Sequence, residues 1–194
     1  MTSQRGIFRL SLLALVAGLA GCAQPPASPS AAPDAAAVLA QNVLSQDGLA
    51  PVRIGMPPAE AEAALGAAIE GRGSGDVGCW MTRRADGARS DVFYMVENGR
   101  ITRIDVAKLP GAATPMKPIV TDKGIGIGAS ESAVRESYGD GLIVQPHKYD
   151  ENGHYLIVDS ADKKSALVFE TSAGVVVTFR AGLHPSVDYV EACS

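Results

Sequence analysis

The spacing of apolar residues changes twice along the 194-residue chain, and those changes divide it. Residues 10–17 form a short, almost unbroken apolar run. Residues 23–37 carry four prolines and nothing apolar large enough to pack. Beyond them, Asp34 is placed to cap a helix over residues 35–46, with Leu39 and Val43 on one face and Asp47-Gly48 as its stop. From Gly48 onward, short stretches of helical period are followed by stretches that read as strands. Pro57 or Pro58 suits the first turn of one helix, where a missing N–H costs little, and Ala61, Ala64, Leu65 and Ala68 give it a smooth apolar stripe. A second helix has Ser130 as N-cap, Ala133, Val134, Ser137 and Tyr138 at helical spacing, and Gly139 as its end. Strands are expected over 79–83, 91–96 and 100–107 after the first helix, and over 142–149, 154–159, 166–170 and 175–180 after the second.

These elements repeat. Val52-Arg53-Ile54-Gly55-Met56-Pro57-Pro58-Ala59-Glu60 aligns with Ile125-Gly126-Ile127-Gly128-Ala129-Ser130-Glu131-Ser132-Ala133 at an offset of 73, which also sets Gly66 on Gly139. Val96-Glu97 then matches Phe169-Glu170 without a gap. Two extra residues later, Gly99-Arg100-Ile101 matches Gly174-Val175-Val176. A constant offset through a helix start and a later strand points to duplication rather than to chance likeness between apolar strands. The expected fold is therefore α+β: two tandem repeats, each a short helix followed by an antiparallel sheet that the helix covers on one face. The expected boundaries are 48–107 and 122–194, with a proline- and glycine-containing linker at 108–121.

The first 21 residues carry Arg5 and Arg9, no acid, and the short apolar run, which is the layout of a secretory signal peptide too short for a permanent membrane span. The run closes on Leu19-Ala20-Gly21-Cys22, which resembles the lipobox of bacterial lipoproteins. An ordinary cleaved signal with an incidental cysteine is the alternative. The resemblance implies that Cys22 becomes the mature N-terminus and carries a thioether-linked diacylglycerol and an amide-linked acyl chain, giving stable membrane attachment. Ala23, where lipoproteins retained in the inner membrane typically have Asp, implies the periplasmic face of the outer membrane. Residues 22–47 then comprise the lipidated terminus, a tether and the short helix. At about 3.1 Å per residue, the proline-rich part spans up to roughly 45 Å from the lipid surface.

Composition narrows the partners. Apolar residues make up 46% of the chain and charged residues 20%, so part of it buries a core. Removing residues 1–21 deletes two Arg and no acid, leaving 15 basic against 21 acidic side chains and a net charge of −6. With no basic run beyond the leader, the footprint required by a phosphate backbone is missing, and nucleic acid is excluded as a partner.

The order helix then strands, with the phrase Ile54-Gly55-Met56-Pro57-Pro58-Ala59-Glu60-Ala61-Glu62-Ala63-Ala64-Leu65-Gly66, resembles the small α+β domains of beta-lactamase inhibitor protein and of the outer-membrane assembly lipoprotein family. Two tandem copies are more similar to the inhibitor, and the lipid anchor to the assembly lipoprotein. Both imply protein binding as a general role. Neither carries over a binding residue, because no interface motif matches.

With Cys22 committed to lipid, Cys79 and Cys193 remain as an even pair in an oxidising compartment, expected as a disulfide, with two buried free thiols as the alternative. Gly124-Ile125-Gly126-Ile127-Gly128-Ala129 can be laid on a dinucleotide-binding pattern, but only Gly128 recurs in the sister repeat, as Gly55, and the parallel strand–helix–strand context is missing. No cofactor is expected. The densest polar stretch is Gln145-Pro146-His147-Lys148-Tyr149-Asp150-Glu151-Asn152-Gly153-His154-Tyr155. Asn152-Gly153 reads as a hairpin signal, and a loop of two or four residues puts His147, Tyr149 and His154 on one sheet face. Two imidazoles suggest zinc or a pH switch. Yet zinc needs three or four ligands and only Asp150 is near, so no metal is expected. That face is the candidate binding surface of a noncatalytic module held at the membrane by its lipid, with an envelope protein as partner. The alternative is a small periplasmic hydrolase using His147 or His154, against which stands the lack of a Gly-x-Ser-x-Gly or His-Glu-x-x-His motif.

Overall fold

The computed structural model describes residues 42–71, 78–110 and 117–193. The expected signal sequence, Cys22 and the tether lie outside the described residues. The body is α+β, with short helices and antiparallel strands. β1 (Leu44–Ser45), β2 (Gly48–Leu49) and β3 (Val52–Arg53) make a small three-stranded sheet. Helix α1 (Pro58–Leu65) precedes β4 (Cys79–Thr82), β5 (Val92–Glu97) and β6 (Arg100–Ala107). Helix α2 (Glu131–Tyr138) precedes β7 (Leu142–Pro146), β8 (His154–Asp159), β9 (Ser165–Ser172) and β10 (Val175–Leu183). The two repeats do not keep separate sheets. Their last strands, β6 and β10, pair with each other, and all seven form one antiparallel sheet in the order β4-β5-β6-β10-β9-β8-β7.

Alternation along the strands explains the layers. Val92, Tyr94, Val96, Ile104, Val106, Phe169, Phe179 and Ala181 project to one face and form the main core with Met56, Ala61 and Val134 from the helix segments and Leu44, Leu49 and Val52 from the small sheet. Phe169 and Phe179 stack at its centre with ring centroids 5.8 Å apart. Burying such a ring contributes about 1.5–3 kcal/mol.

The repeat is visible bond by bond. Gly55 N–H donates to Ile101 O at 2.7 Å and Ile101 N–H to Met56 O at 2.9 Å; Gly128 N–H donates to Val176 O at 2.9 Å and Val176 N–H to Ala129 O at 2.9 Å. Both glycines have positive φ, 87° and 92°, which a side chain would strain. Each helix buries one residue at the same place, Ala61 and Val134. Ser130 caps α2 by accepting from Ala133 N–H at 3.1 Å. Pro58 takes the first position of α1, with Pro57 as N-cap, and the helix stops at Leu65, so Ala68 falls outside the apolar stripe.

Three expectations need correction. The described end of the 35–46 helix is not helical. Leu44 N–H donates to Val120 O at 2.9 Å, Leu44–Ser45 pairs with Gly48–Leu49, and the fully buried Leu44 joins the core. Gly48 permits the turn, because a Cβ there would meet Val52 O at 2.4 Å. Residues 35–41 lie outside the described residues. Second, Val96 corresponds to Thr171, not Phe169: Val96 pairs with Ile101 as Thr171 pairs with Val176. The turns Asn98-Gly99 and Ala173-Gly174 have the same length and the same positive φ, so the two-residue difference must lie upstream of them. Third, the strand expected to reach residue 149 ends at Pro146.

Residues 184–193 cross the face opposite the helices. Arg180 Nε donates to Val187 O at 2.7 Å and its Nη1 pairs with Glu170. Arg103 Nη1 donates to Ser186 O at 3.1 Å and Tyr189 O at 2.7 Å while its Nη2 lies 2.8 Å from Asp105. The Ser186 hydroxyl donates to Glu97. Val187 packs beneath with Tyr155, Ala166 and Val168. At the end of this segment Cys193 is joined to Cys79, with Cα atoms 5.7 Å apart.

Candidate functional site

β7 ends the sheet order, so among the described residues one of its sides has no strand partner. His147 N–H donates to Gly153 O at 3.0 Å, one step beyond the Pro146–His154 pair. In an antiparallel ladder, alternate residues point both backbone groups at the partner, so Gln145 and Ile143 bond to β8 and the groups of Leu142, Val144 and Pro146 point outward. Pro146 has no N–H, and Leu142 N–H is taken by Gly139 O. Val144 is left as the donor of this edge, with three carbonyls as acceptors. Ile143 and Val144 are 45% and 36% exposed, on opposite faces of the strand.

The loop that follows is braced. Asp150 accepts from Asn152 N–H at 2.8 Å, and Gly153 N–H donates to Asp150 O at 3.0 Å. Hydrogen bonds from the Ser172 hydroxyl and then from Asn152 N–H hold the Asp150 carboxyl below its ordinary pKa. Ala173 N–H donates to Asn152 O at 3.1 Å, tying the loop to the β9–β10 turn. Gly153 is required by proximity: a Cβ there would meet Thr171 O at 2.4 Å. Tyr149, at 61% exposure, stands out from this loop with Lys148 Nζ 5.0 Å from its ring centroid.

The two histidines do not share a face. Pro146 pairs with His154, leaving a loop of seven residues, 147–153, rather than two or four. That odd number reverses the parity, as a slip of one residue must. His147 stacks on Tyr155 at 4.5 Å, on the face crossed by residues 184–193, with its Nε2 3.7 Å from Glu170. Its Nδ1 accepts from Tyr149 N–H and Asp150 N–H, both at 3.1 Å, so the ring proton sits on Nε2. His154 lies on the helix face, its Nδ1 3.0 Å from Glu131 Oε2. Thr171 Oγ1 donates to the same oxygen at 3.1 Å, and Arg135 to the other carboxylate oxygen. Burial works to raise the Glu131 pKa, but the bonds from Arg135, His154 and Thr171 outweigh it and the carboxyl titrates below its usual range.

Chemically, each imidazole is placed as a structural pin. Among the described residues the partners of the two rings are backbone N–H groups and carboxylates, and no hydroxyl or thiol hydrogen-bonds to either. No group of three His, Cys, Asp or Glu side chains able to hold a metal occurs among the described residues. No helix among them is long and apolar enough to cross a membrane. The open edge of β7 escaped the sequence reading, although its signal was there: a proline closing an apolar run marks an edge strand. The arginine clamp on residues 184–193 left no local sequence signal.

No family model matches the chain, and no curated protein matches it either. Among solved structures, it is similar to a DUF4309 family protein, YjgB, from Bacillus subtilis, at 14% identity and a TM-score of 0.44, over 76% of this chain and 97% of that one. It is also similar to an extracellular protein containing an SCP domain from Bacillus anthracis, at 15% identity and a TM-score of 0.37, over 68% of this chain and 44% of that one.

Proposed function

We propose that this protein is a noncatalytic binding module, tethered by a lipid on Cys22 to the periplasmic face of the outer membrane, and that it engages an extended segment of a partner protein along β7. The observation that carries the reading is the edge left unpaired among the described residues, with Ile143 and Val144 exposed on its two sides, continued by Tyr149 on a braced loop. An added strand gains backbone hydrogen bonds from the edge and specificity from alternate side chains. Tyr149 serves as an aromatic anchor with little rotamer entropy to lose. The signal sequence, lipobox and tether support presentation to the periplasm, and the resemblance to inhibitor and assembly domains supports a protein as the ligand.

The test uses a photocrosslinking amino acid at Tyr149 of the lipidated protein in its native envelope, with the crosslinked protein identified and then repurified for binding. Tyr149→Ala is expected to weaken that binding by about 1–2 kcal/mol at unchanged thermal stability. Val144→Pro removes the outward N–H without removing a bond to β8, and is expected to abolish it. Full binding by both variants refutes edge recognition. A Cys22→Ala chain that still fractionates with the outer membrane refutes the anchor.

A further inference from the structure

A second feature lies away from the β7 edge. Between the end of α1, the β2–β3 turn and β5 is a cavity of about 220 Å³, with Leu49, Pro51, Leu65 and Val92 among its apolar walls. Tyr94, 3% exposed, lines it, and its hydroxyl hydrogen-bonds to no described residue. The hydroxyl is not sealed off, since among the described residues Trp80 Nε1 is the buried side-chain polar atom without a partner; it is therefore reachable by a ligand atom in the cavity. Burial pushes this phenol up to about 12, against the opposing effect of the Arg84 and Arg89 charges, so it remains a proton donor.

Those two arginines also line the cavity. Arg84 gives Nε and Nη2 to Asp86 at 3.0 and 2.6 Å, and Nη1 to Leu65 O at 3.3 Å. Arg89 gives Nε and Nη2 to Asp91 at 3.1 and 2.9 Å, and Nη1 to Asn42 Oδ1 at 2.8 Å and Lys117 O at 3.3 Å. A guanidinium has five N–H donors, so these bonds fix each plane and still leave a donor on each side chain. Asp86 and Asp91 are outside the lining. The result is an apolar chamber with a phenol donor and two oriented guanidinium groups, and no carboxylate in its wall.

We propose that this cavity binds a small carboxylate carrying a short apolar group. The carboxylate accepts from the Tyr94 hydroxyl and the arginines, and the apolar group fills the space beside Leu65 and Val92. At 220 Å³ the chamber is below the range of about 300–1,000 Å³ typical of drug-sized ligands, so it holds one amino-acid-sized fragment. The same chemistry is offered by a free branched-chain acid and by the C-terminal residue of a polypeptide.

Titration of the full-length chain with N-acetyl-L-leucine, read by side-chain NMR shifts of Leu49, Leu65, Val92 and Tyr94, tests this. Saturable shifts with a Kd of millimolar order are expected. N-acetyl-L-leucinamide, with the same shape and no charge, is expected to bind about tenfold more weakly, as expected for loss of charge-assisted bonds. Tyr94→Phe keeps the ring and the fold while removing the donor, and is expected to weaken the acid severalfold with little effect on the amide; Arg84→Gln does the same at the rim. Isocaproate distinguishes the sources: equal binding assigns a free acid, and binding of N-acetyl-L-leucine alone assigns a chain terminus. Absence of saturable shifts for either acid, or equal binding of acid and amide, overturns the proposal.

Discussion

Replacing Arg180 with Met tests what holds residues 184–193 on the sheet. Arg180 is 3% exposed and contributes one bond to Val187 O, at 2.7 Å, and an ion pair to Glu170. Met keeps much of the apolar stem but removes both. The orphaned Val187 carbonyl costs about 1–3 kcal/mol. The Glu170 carboxylate, largely buried, is left with His147 Nε2, 3.7 Å away, as its nearest remaining donor. Breaking a buried pair from one side costs about 3–5 kcal/mol in total, because the surviving charge is uncompensated. With a urea slope of about 1–3 kcal/mol per molar, the unfolding midpoint drops by roughly 2 M. The double variant Arg180→Met with Glu170→Leu removes the stranded charge as well and is expected to recover at least half of the loss. A single-variant loss under about 1 kcal/mol, or a double variant equal to the sum of its parts, refutes the clamp; the first is the value of an exposed pair.

Three further outcomes are expected. Cys79 and Cys193 resist alkylation in protein isolated from its native cells without reductant, and Cys193→Ser lowers stability by about 4–5 kcal/mol in urea unfolding, as loop-closure entropy gives for a separation of 114 residues; ready alkylation of both contradicts the linkage. Gly153→Ala costs about 1–3 kcal/mol, because its Cβ would meet Thr171 O at 2.4 Å, and a neutral result in the same assay would show that the loop shifts freely. His184 is raised above 6.5 by its bond to Asp188, at 2.7 Å, and by Asp159. A raised value favours the folded state while the ring is charged, so this contribution is full below about pH 6.5 and is lost as pH rises through the folded-state value. His184→Gln should flatten the stability profile on that upward side, and an unchanged slope rejects the pairing.

The elements most legible in the sequence are those whose cause is local. Ser130 announces α2 because its hydroxyl satisfies an N–H three residues on, and Gly55 and Gly128 announce the helix starts because each has a positive φ. The duplicated order was readable for the same reason. Hairpin geometry was not: Asn152-Gly153 has the composition of a tight turn, yet Gly153 is retained for its proximity to Thr171, while the two-residue turns with positive φ are Asn98-Gly99 and Ala173-Gly174. Parity inherited that error and put His147 beside His154. Leu44 reads as helical by spacing, but its backbone pairs with Val120 and its side chain enters the core, a tertiary gain that exceeds any local preference. The open edge of β7 is marked locally only by Pro146 and is set by which strands end the sheet, whereas the cavity at Tyr94 arises from residues that meet across the fold and is not encoded in one window of sequence.

Where the repeats meet, their symmetry is broken by charge. Under the correspondence of Ile101 with Val176, Asp105 corresponds to Arg180, and these two residues are cross-strand neighbours at the β6–β10 seam. The pseudo-dyad therefore passes through a position that is acidic in one repeat and basic in the other. The next pair makes the same point sterically: Arg103 faces Gly182, where a Cβ would meet Thr102 O at 2.7 Å, whereas the corresponding Thr178 faces Ala107. Two identical repeats would present two like charges at the seam, which repel when directly opposite. The observed divergence instead supplies the guanidinium groups that capture the carbonyls of Ser186, Val187 and Tyr189. Binding that segment at the seam carries the chain to Cys79 on β4, whose end of the sheet is further lined by residues 68–70 through the Glu70 N–H bond to Arg83 O, at 2.7 Å, and the Ala85 N–H bond to Ala68 O, at 2.9 Å. In the second repeat the equivalent of that lining has grown into the full strand β7: Ile69 bridges Arg84 as Leu142 pairs with Val158. Among the described residues the sheet therefore runs from β4, bordered beyond its end by residues 68–70 and tied to Cys193, to β7, which carries no such bordering segment.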